Sequence, residues 1–390
     1  MNVTGMNERK KINLTFLAST LPVGGAENML YAFVTHLDRD LFGVHILCLR
    51  SGGRMSEELA RSGVDVRDNL MSSRLDVSAA WKLPALLRSI GTDVLCMLNH
   101  DDAMFWGKMC ARRAGVPVTM LWVHANLIPG RKLTVRIINR LTMNMVSKVI
   151  ALSQIHKRRI LATYPHLSET KLVVIYNGVD TEKYCAVANG KRVPEGVDTR
   201  GHEHIIGTIA RLSPEKNLEV LLRAARLVIE KEPDVLFLIA GDGPEREKYE
   251  SLAKELGLVR NVRFLGMRRD VPDLLGTFDV AVLSSREEVF PMFLLEAMAS
   301  GLPVVSTRVG SIEEIVEHGE TGYLVEPGDH AELARRILAL MEDAELAREM
   351  GRRGRMRVEE QFSIRKMVGD TQSLIESLFL EHSREWTSSR

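Results

Sequence analysis

SSREEVFPMFLLEAMASGLPVVST, residues 284–307, is the stretch from which the chain is best read. Ahead of it FDVAVLSS has the pattern of a buried strand, apolar from Val280 to Leu283. Pro291 suits a first helical position, MFLLEAMAS carries apolar residues at helical spacing, and Gly301 followed by Pro303 stops the helix before a second strand, PVVST. Two carboxylates are placed by this pattern. Glu288 falls in the loop at the carboxyl end of a parallel strand, where open α/β sheets bind ligands, and Glu296 falls just inside the following helix. Glu287 is adjacent, but only Glu288 stands eight positions before Glu296.

Strand and helix signals alternate outward from this point in both directions. INLTFLAS, GVHILCLR, DVLCMLN, PVTMLWVH and KVIALS read as short buried strands separated by helical stretches, the pattern of a doubly wound parallel sheet. A second series runs through HIIGTIARL, VLFLIAGDG, VRFLG, VAVLSS, PVVST and TGYLVEP. Between the two series CAVANGKRVPEGVDTRGHEH is polar and rich in turn formers. The expected fold is α/β with two Rossmann-like domains, their parallel sheets facing across a cleft: residues 1–188, a linker at 189–204, residues 205–369, and a C-terminal helix at 370–390 that could cross back to the first domain.

At 390 residues, 45% hydrophobic and 26% charged, the chain has the size and composition of a soluble two-domain protein. No apolar run approaches the ~20 residues of a membrane span, and the N-terminus lacks a signal-peptide core, so a cytoplasmic location is expected. Cys48, Cys96, Cys110 and Cys185 lack metal-ligand spacing and read as free thiols. The net charge of +1 conceals a division at residue 190, with 24 Lys and Arg against 15 Asp and Glu before it and 28 against 36 after it. No acidic residue lies between Asp102 and Glu169, while eleven basic ones do, and such a block attracts an anion. Within it Lys132, Arg136 and Arg140 recur at four-residue intervals beside Leu133, Ile137, Ile138 and Leu141, a basic amphipathic helix suited to an anionic membrane surface or an anionic acceptor. Aromatic residues are only 5% of the chain and no nucleic-acid-binding module is present, so nucleic acid is not an expected partner.

The Glu288–Glu296 pair resembles the Glu-x7-Glu signature of retaining glycosyltransferases with the GT-B fold, glycosyltransferase family 4 with its glycosyl transferases group 1 segment, and the likeness extends over most of the chain. It implies that Glu288 contacts the transferred sugar and Glu296 the donor ribose. Phe290, Pro291, Met292, Phe293 and Leu294 fall in the same donor-binding run. Val289-Phe290-Pro291 stands where the family commonly has Gly-Phe-Gly, which restricts backbone approach to the sugar. Arg211 and Lys216, just beyond a strand and near a helix that Ser213 or Pro214 could open, are similar to the family's Arg-x4-Lys diphosphate clamp. Gly241 and Gly243 in IAGDGPE give a nucleotide room at the backbone, and Met267 and Arg268 match the loop beside the nucleobase. NGVD at 177–180 is a family element of structural character.

In the first domain Gly24 and Gly25 precede a helix whose free amides favour an anion, and His124 ends a strand where the family often has a histidine near the reacting sugar. The implied catalytic group is Glu288, His124, Arg211 and Lys216, acting by position and charge, with retention by front-face attack and no covalent nucleophile. Asp38-Arg39-Asp40 precedes the second strand on the wrong side of the sheet for a metal, and His202-Glu203-His204 lacks zinc spacing. The expectation is therefore a metal-independent hexosyltransferase without cofactor, using a nucleotide sugar, more readily UDP-linked than GDP-linked. Its acceptor is expected to be a lipid-linked or cell-surface glycan, handled peripherally at the inner face of a bacterial membrane. The alternatives are a synthase with a soluble sugar or sugar-phosphate acceptor, and a non-catalytic nucleotide-sugar-binding protein.

Overall fold

The computed structural model describes residues 11–21, 24–73, 76–98, 101–125, 142–185 and 193–388. The chain divides into two units, Met1–Tyr176 with Met367–Arg390, and Asn177–Lys366. In the first, strands β1 (Ile12–Ala18), β2 (Phe42–Cys48), β3 (Asp65–Arg67), β4 (Val94–Leu98), β5 (Val118–Trp122), β6 (Lys148–Ala151) and β7 (Leu172–Val174) form a parallel sheet in the order β3-β2-β1-β4-β5-β6-β7. In the second, β8 (His204–Ile209), β9 (Val235–Ala240), β10 (Val262–Gly266), β11 (Val280–Leu283), β12 (Val304–Thr307) and β13 (Gly322–Val325) run β10-β9-β8-β11-β12-β13, again parallel. Both are Rossmann-like α/β sheets.

The central strands are legible because helices cover both faces, so they read as near-continuous apolar runs instead of alternating. VLCML of β4 and VLFLIA of β9 are buried at every position. In the second unit the amphipathic helix Leu218–Ile229 turns Leu218, Leu221, Leu222, Ala225 and Val228 inward, and helix His330–Glu342 adds Leu333, Ile337 and Leu338 to the same core. The strand order reverses between β1 and β4 and between β8 and β11, opening a crevice at the carboxyl ends of each sheet. In the first unit these ends are tied by Ser19, whose hydroxyl donates to Asp102, and by Arg50, 3.2 Å from the other oxygen of Asp102.

The structure moves three boundaries. Helix Met292–Ala299 begins one residue later than read, with extended Pro291 as its cap. The terminal helix is longer than 370–390 and starts at Ile364. Residues 177–185, read as the end of the first domain, belong to the second unit. Val179 exchanges backbone hydrogen bonds of 2.9 Å with Phe362 and Ile364, and the Arg355 guanidinium donates to the carbonyls of Thr181, Tyr184 and Ala299.

All four cysteines are free, and burial, with Asp68 nearby, pushes the Cys48 thiol up to about 12. Asp38 accepts from the amides of Asp40 and Leu41 in an exposed turn entering β2, at the opposite end of the sheet from the crevice. Among the described residues no helix is long and apolar enough to cross a membrane, and no three His, Cys, Asp or Glu side chains are grouped to hold a metal ion.

Candidate functional site

In the second unit the loop after β8, which carries Arg211 and Lys216, meets the loop after β11, which carries Glu288. After β8 the chain runs through Arg211 into a single 3-10 turn, Pro214–Lys216, and then Asn217 takes a left-handed conformation (φ 48°) to start helix Leu218–Ile229. That abrupt turn leaves Lys216 at the strand end. It is held there by Ser284, which follows β11 and donates to the carbonyls of both Lys216 and Asn217 at 3.2 Å.

Lys216 Nζ lies 2.6 Å from Glu288 Oε1, and the same oxygen accepts the Ser285 hydroxyl at 2.7 Å. The side chains of Glu288 and Lys216 are 8% and 21% exposed, so the pair is largely withdrawn from water. Sequence reading gave these residues separate ligands; the fold makes them partners. A buried ion pair of this kind is costly to break by removing one member, because the other charge is stranded. It leaves Glu288 with one oxygen committed and Lys216 with further N–H donors for an anion. Arg211 is exposed, and among the described residues nothing is paired with its guanidinium. Burial alone would raise the Glu215 carboxyl, but the Ser213 hydroxyl at 2.6 Å, a backbone hydrogen bond and the charges of Lys216 and Arg211 together hold it below its ordinary range.

Glycines shape the backbone here. Gly310, after β12, has φ +58°, and a side chain at that position would meet the Glu288 carbonyl oxygen at 1.9 Å. Glycine is required for the Glu288 loop to sit against this turn. Gly241 has φ +123°, and its side-chain space is filled by the Ala210 carbonyl; that of Gly243 is filled by the Leu212 carbonyl. Their missing side chains therefore serve the packing of two loops, fixing the strand that delivers Arg211, and not the open approach to backbone expected from sequence.

Glu296, one turn into helix Met292–Ala299, is partly buried and accepts the Tyr184 hydroxyl at 3.1 Å. Burial raises the Glu296 carboxyl, opposed by that hydrogen bond and by the Lys183 charge. Of the run beside it, Leu294 is wholly buried, Phe293 nearly so, and Phe290 packs edge-to-face on Phe362 at 5.6 Å. Met292 keeps some exposure. Met267 is 63% exposed after β10, whereas Arg268 is engaged by Asp270 at 2.9 Å and by the Glu195 carbonyl at 3.1 Å.

In the first unit Gly24 is the extended cap of helix Gly25–His36. Glu27 folds back on this turn: a side chain at Gly24 would meet its Oε2 at 2.7 Å. Burial raises the Glu27 carboxyl. The helix start expected to attract an anion thus carries a carboxyl group of its own. His124 follows β5 with its ring 5.3 Å from that of Trp122. Lys132, Arg136 and Arg140 lie outside the described residues.

Tyr184, Ser285 and Gly310 were not singled out from sequence. Tyr184 had a local signal: it follows NGVD by four positions, and Asp180 accepts from the amides of Glu182 and Lys183, both at 3.0 Å, forming the turn that presents it.

Residues 23–183 match the model of Glycosyltransferase Family 4, and residues 192–357 match that of Glycosyl transferases group 1. N-acetyl-alpha-D-glucosaminyl L-malate synthase of Bacillus anthracis is 39% identical over 200 residues, 51% of this chain and about half (52%) of that relative. UDP-Gal:alpha-D-GlcNAc-diphosphoundecaprenol alpha-1,3-galactosyltransferase of Escherichia coli is 26% identical over 351 residues, 87% of this chain and 90% of that one. Among solved structures, Anabaena Alr3699/HepE in complex with UDP-glucose superimposes with a TM-score of 0.79 at 25% identity, covering 93% of this chain and 99% of that one. Two Rossmann-like sheets, matched in turn by these two models, identify the chain as a member of the GT-B glycosyltransferases, with a Family 4 segment followed by a group 1 segment.

Proposed function

We propose that this protein is a retaining hexosyltransferase that uses a nucleotide sugar, UDP-linked, and builds a lipid-linked or cell-surface glycan. The observation that carries the reading is the Lys216–Glu288 pair standing with exposed Arg211 at the carboxyl ends of β8 and β11. Arg211 and Lys216 neutralise the donor diphosphate, Arg as a planar fork and Lys as a point charge. Glu288 offers its second oxygen to the sugar hydroxyls and Glu296 accepts from the ribose. Met267, Arg268 and the turn before helix Met292–Ala299 frame the nucleotide.

In the transfer, the bond from the anomeric carbon to the diphosphate oxygen breaks and a bond to the acceptor hydroxyl oxygen forms on the same face. The acceptor proton passes to the departing phosphate. The protein's part is to hold the reactants and to place positive charge where the leaving group becomes more negative. No metal or cofactor is assigned a role.

Thermal-shift measurement against UDP- and GDP-sugars and the free diphosphates tests the donor, since a ligand bound only by the folded state raises the melting temperature. Absence of any shift would refute the reading. Product anomer determined by NMR tests retention, and turnover in excess EDTA tests metal independence.

A second reading, a synthase acting on a soluble acceptor, is favoured by the 39% identity, over about half of each chain, to N-acetyl-alpha-D-glucosaminyl L-malate synthase. Flotation with anionic vesicles separates the two. A peripheral enzyme floats and loses this when Lys132, Arg136 and Arg140 are replaced by Gln, whereas the soluble-acceptor enzyme stays at the bottom.

A further inference from the structure

We infer that Tyr184 is a positioning residue of the donor site, fixing one oxygen of Glu296 so that the other alone is presented to the nucleotide ribose. The inference rests on the ribose role proposed for Glu296. Tyr184 is 7% exposed and its hydroxyl is 3.1 Å from Glu296 Oε1, while among the described residues nothing engages Oε2. A carboxylate on a helix can rotate about its terminal bonds; a phenol donating to one oxygen removes that freedom and leaves an acceptor of fixed direction.

The phenol is itself over-determined. Asp180 builds the turn beneath it, the Tyr184 amide donates to the Asp180 carbonyl at 3.0 Å, and Arg355 bonds the Tyr184 and Thr181 carbonyls together with that of Ala299, the last residue of the Glu296 helix. One guanidinium therefore locks the turn carrying the donor to the helix carrying the acceptor. Burial and the Glu296 charge move the Tyr184 hydroxyl well above its ordinary range, so it remains a donor throughout the working pH.

The groups facing Glu296 are Tyr184 and Lys183 from this turn, with Asp180 acting on Tyr184 and with Arg355 of helix Ala344–Gln361 at the helix end. Burial favours the protonated carboxyl and the Tyr184 hydrogen bond opposes it. Loss of the hydroxyl moves the carboxyl further up, so nucleotide affinity should decline at a higher pH as the solution is acidified.

The test is calorimetric titration of the full chain with UDP, and in parallel GDP, for wild type, Tyr184→Phe, Glu296→Gln, Glu296→Ala and the double variant Tyr184→Phe with Glu296→Gln between pH 5 and 8. A hydrogen bond to a charged group predicts about 10- to 100-fold weaker binding by Tyr184→Phe, with an upward shift of the pH midpoint. In the Glu296→Gln background the same change should cost much less, since the two residues act as one unit. Additive losses, or a Tyr184→Phe affinity within twofold of wild type with an unmoved pH profile, would overturn the inference while leaving the Glu296 role intact. Unchanged affinity in Glu296→Gln and in Glu296→Ala would instead overturn the ribose reading and this inference with it. If Tyr184→Phe melts early, the comparison of the two backgrounds at a temperature where both are folded still decides.

Discussion

Replacing Lys216 by Met exposes what the ion pair contributes to folding as distinct from ligand binding. The substitution keeps the unbranched stem but for one atom and removes the charge, leaving the Glu288 carboxylate, 8% exposed, with only the Ser285 hydroxyl of its two partners on Oε1. Stranding a buried charge costs about 3–5 kcal/mol. The surviving hydroxyl and the partial exposure of the site, 21% at Lys216, bring the expected loss to about 2–3 kcal/mol. For a unit the size of Asn177–Lys366, each kcal/mol corresponds to roughly 2–4 °C, so its melting transition should fall by about 4–12 °C. The assay is scanning calorimetry without nucleotide. The decisive comparison is the double variant Lys216→Met with Glu288→Gln, in which no charge remains to be stranded. It should recover most of the melting temperature and none of the turnover. A single variant melting within 1 °C of wild type, or a double variant as unstable as the single, would refute the view that these two charges are held against each other in the free protein.

Arg211→Ala should behave oppositely: with no described partner to strand, it should leave the melting temperature within about 1 °C and weaken diphosphate binding by about tenfold or more, read by titration with UDP. Gly310→Ala puts a methyl group 1.9 Å from the Glu288 carbonyl at φ +58°, so the loop must shift; a loss above about 1 kcal/mol with a marked fall in turnover is expected, and a neutral result in calorimetry would contradict the packing. His156 is held neutral, its pKa lowered to about 4 by burial and by Arg159. Because the unfolded chain binds that proton near pH 6.5, stability is full above this value and falls as the pH drops toward 4, by up to about 3 kcal/mol. His156→Asn should flatten the acid limb of the first unit's melting curve, and an unchanged limb would argue against it.

The sequence was most informative where burial is a property of contiguous residues. VLFLIA and VAVL are strands because nothing polar interrupts them between helices, and the Glu288–Glu296 spacing is legible because strand, loop and helix follow within one local unit. Boundaries that depend on remote partners were less legible. Residues 177–185 look like the tail of one domain until Phe362, Ile364 and Arg355 are seen to bind them. Gly241 and Gly243 look like room for a ligand until the carbonyls of Ala210 and Leu212 are found in that space.

By itself the sequence determined the two parallel sheets, the loop carrying Glu288, the helix carrying Glu296 and the cations following β8. Only the tertiary structure decided that Lys216 meets Glu288 across 72 positions and that Tyr184 meets Glu296 across 112. Secondary structure follows from local conformational preference and the periodicity of apolar side chains, which neighbours in sequence reveal. Which charges and hydroxyls meet depends on the crossover that sets β8 beside β11, and on the Asp180 turn that packs against a helix formed much later in the chain.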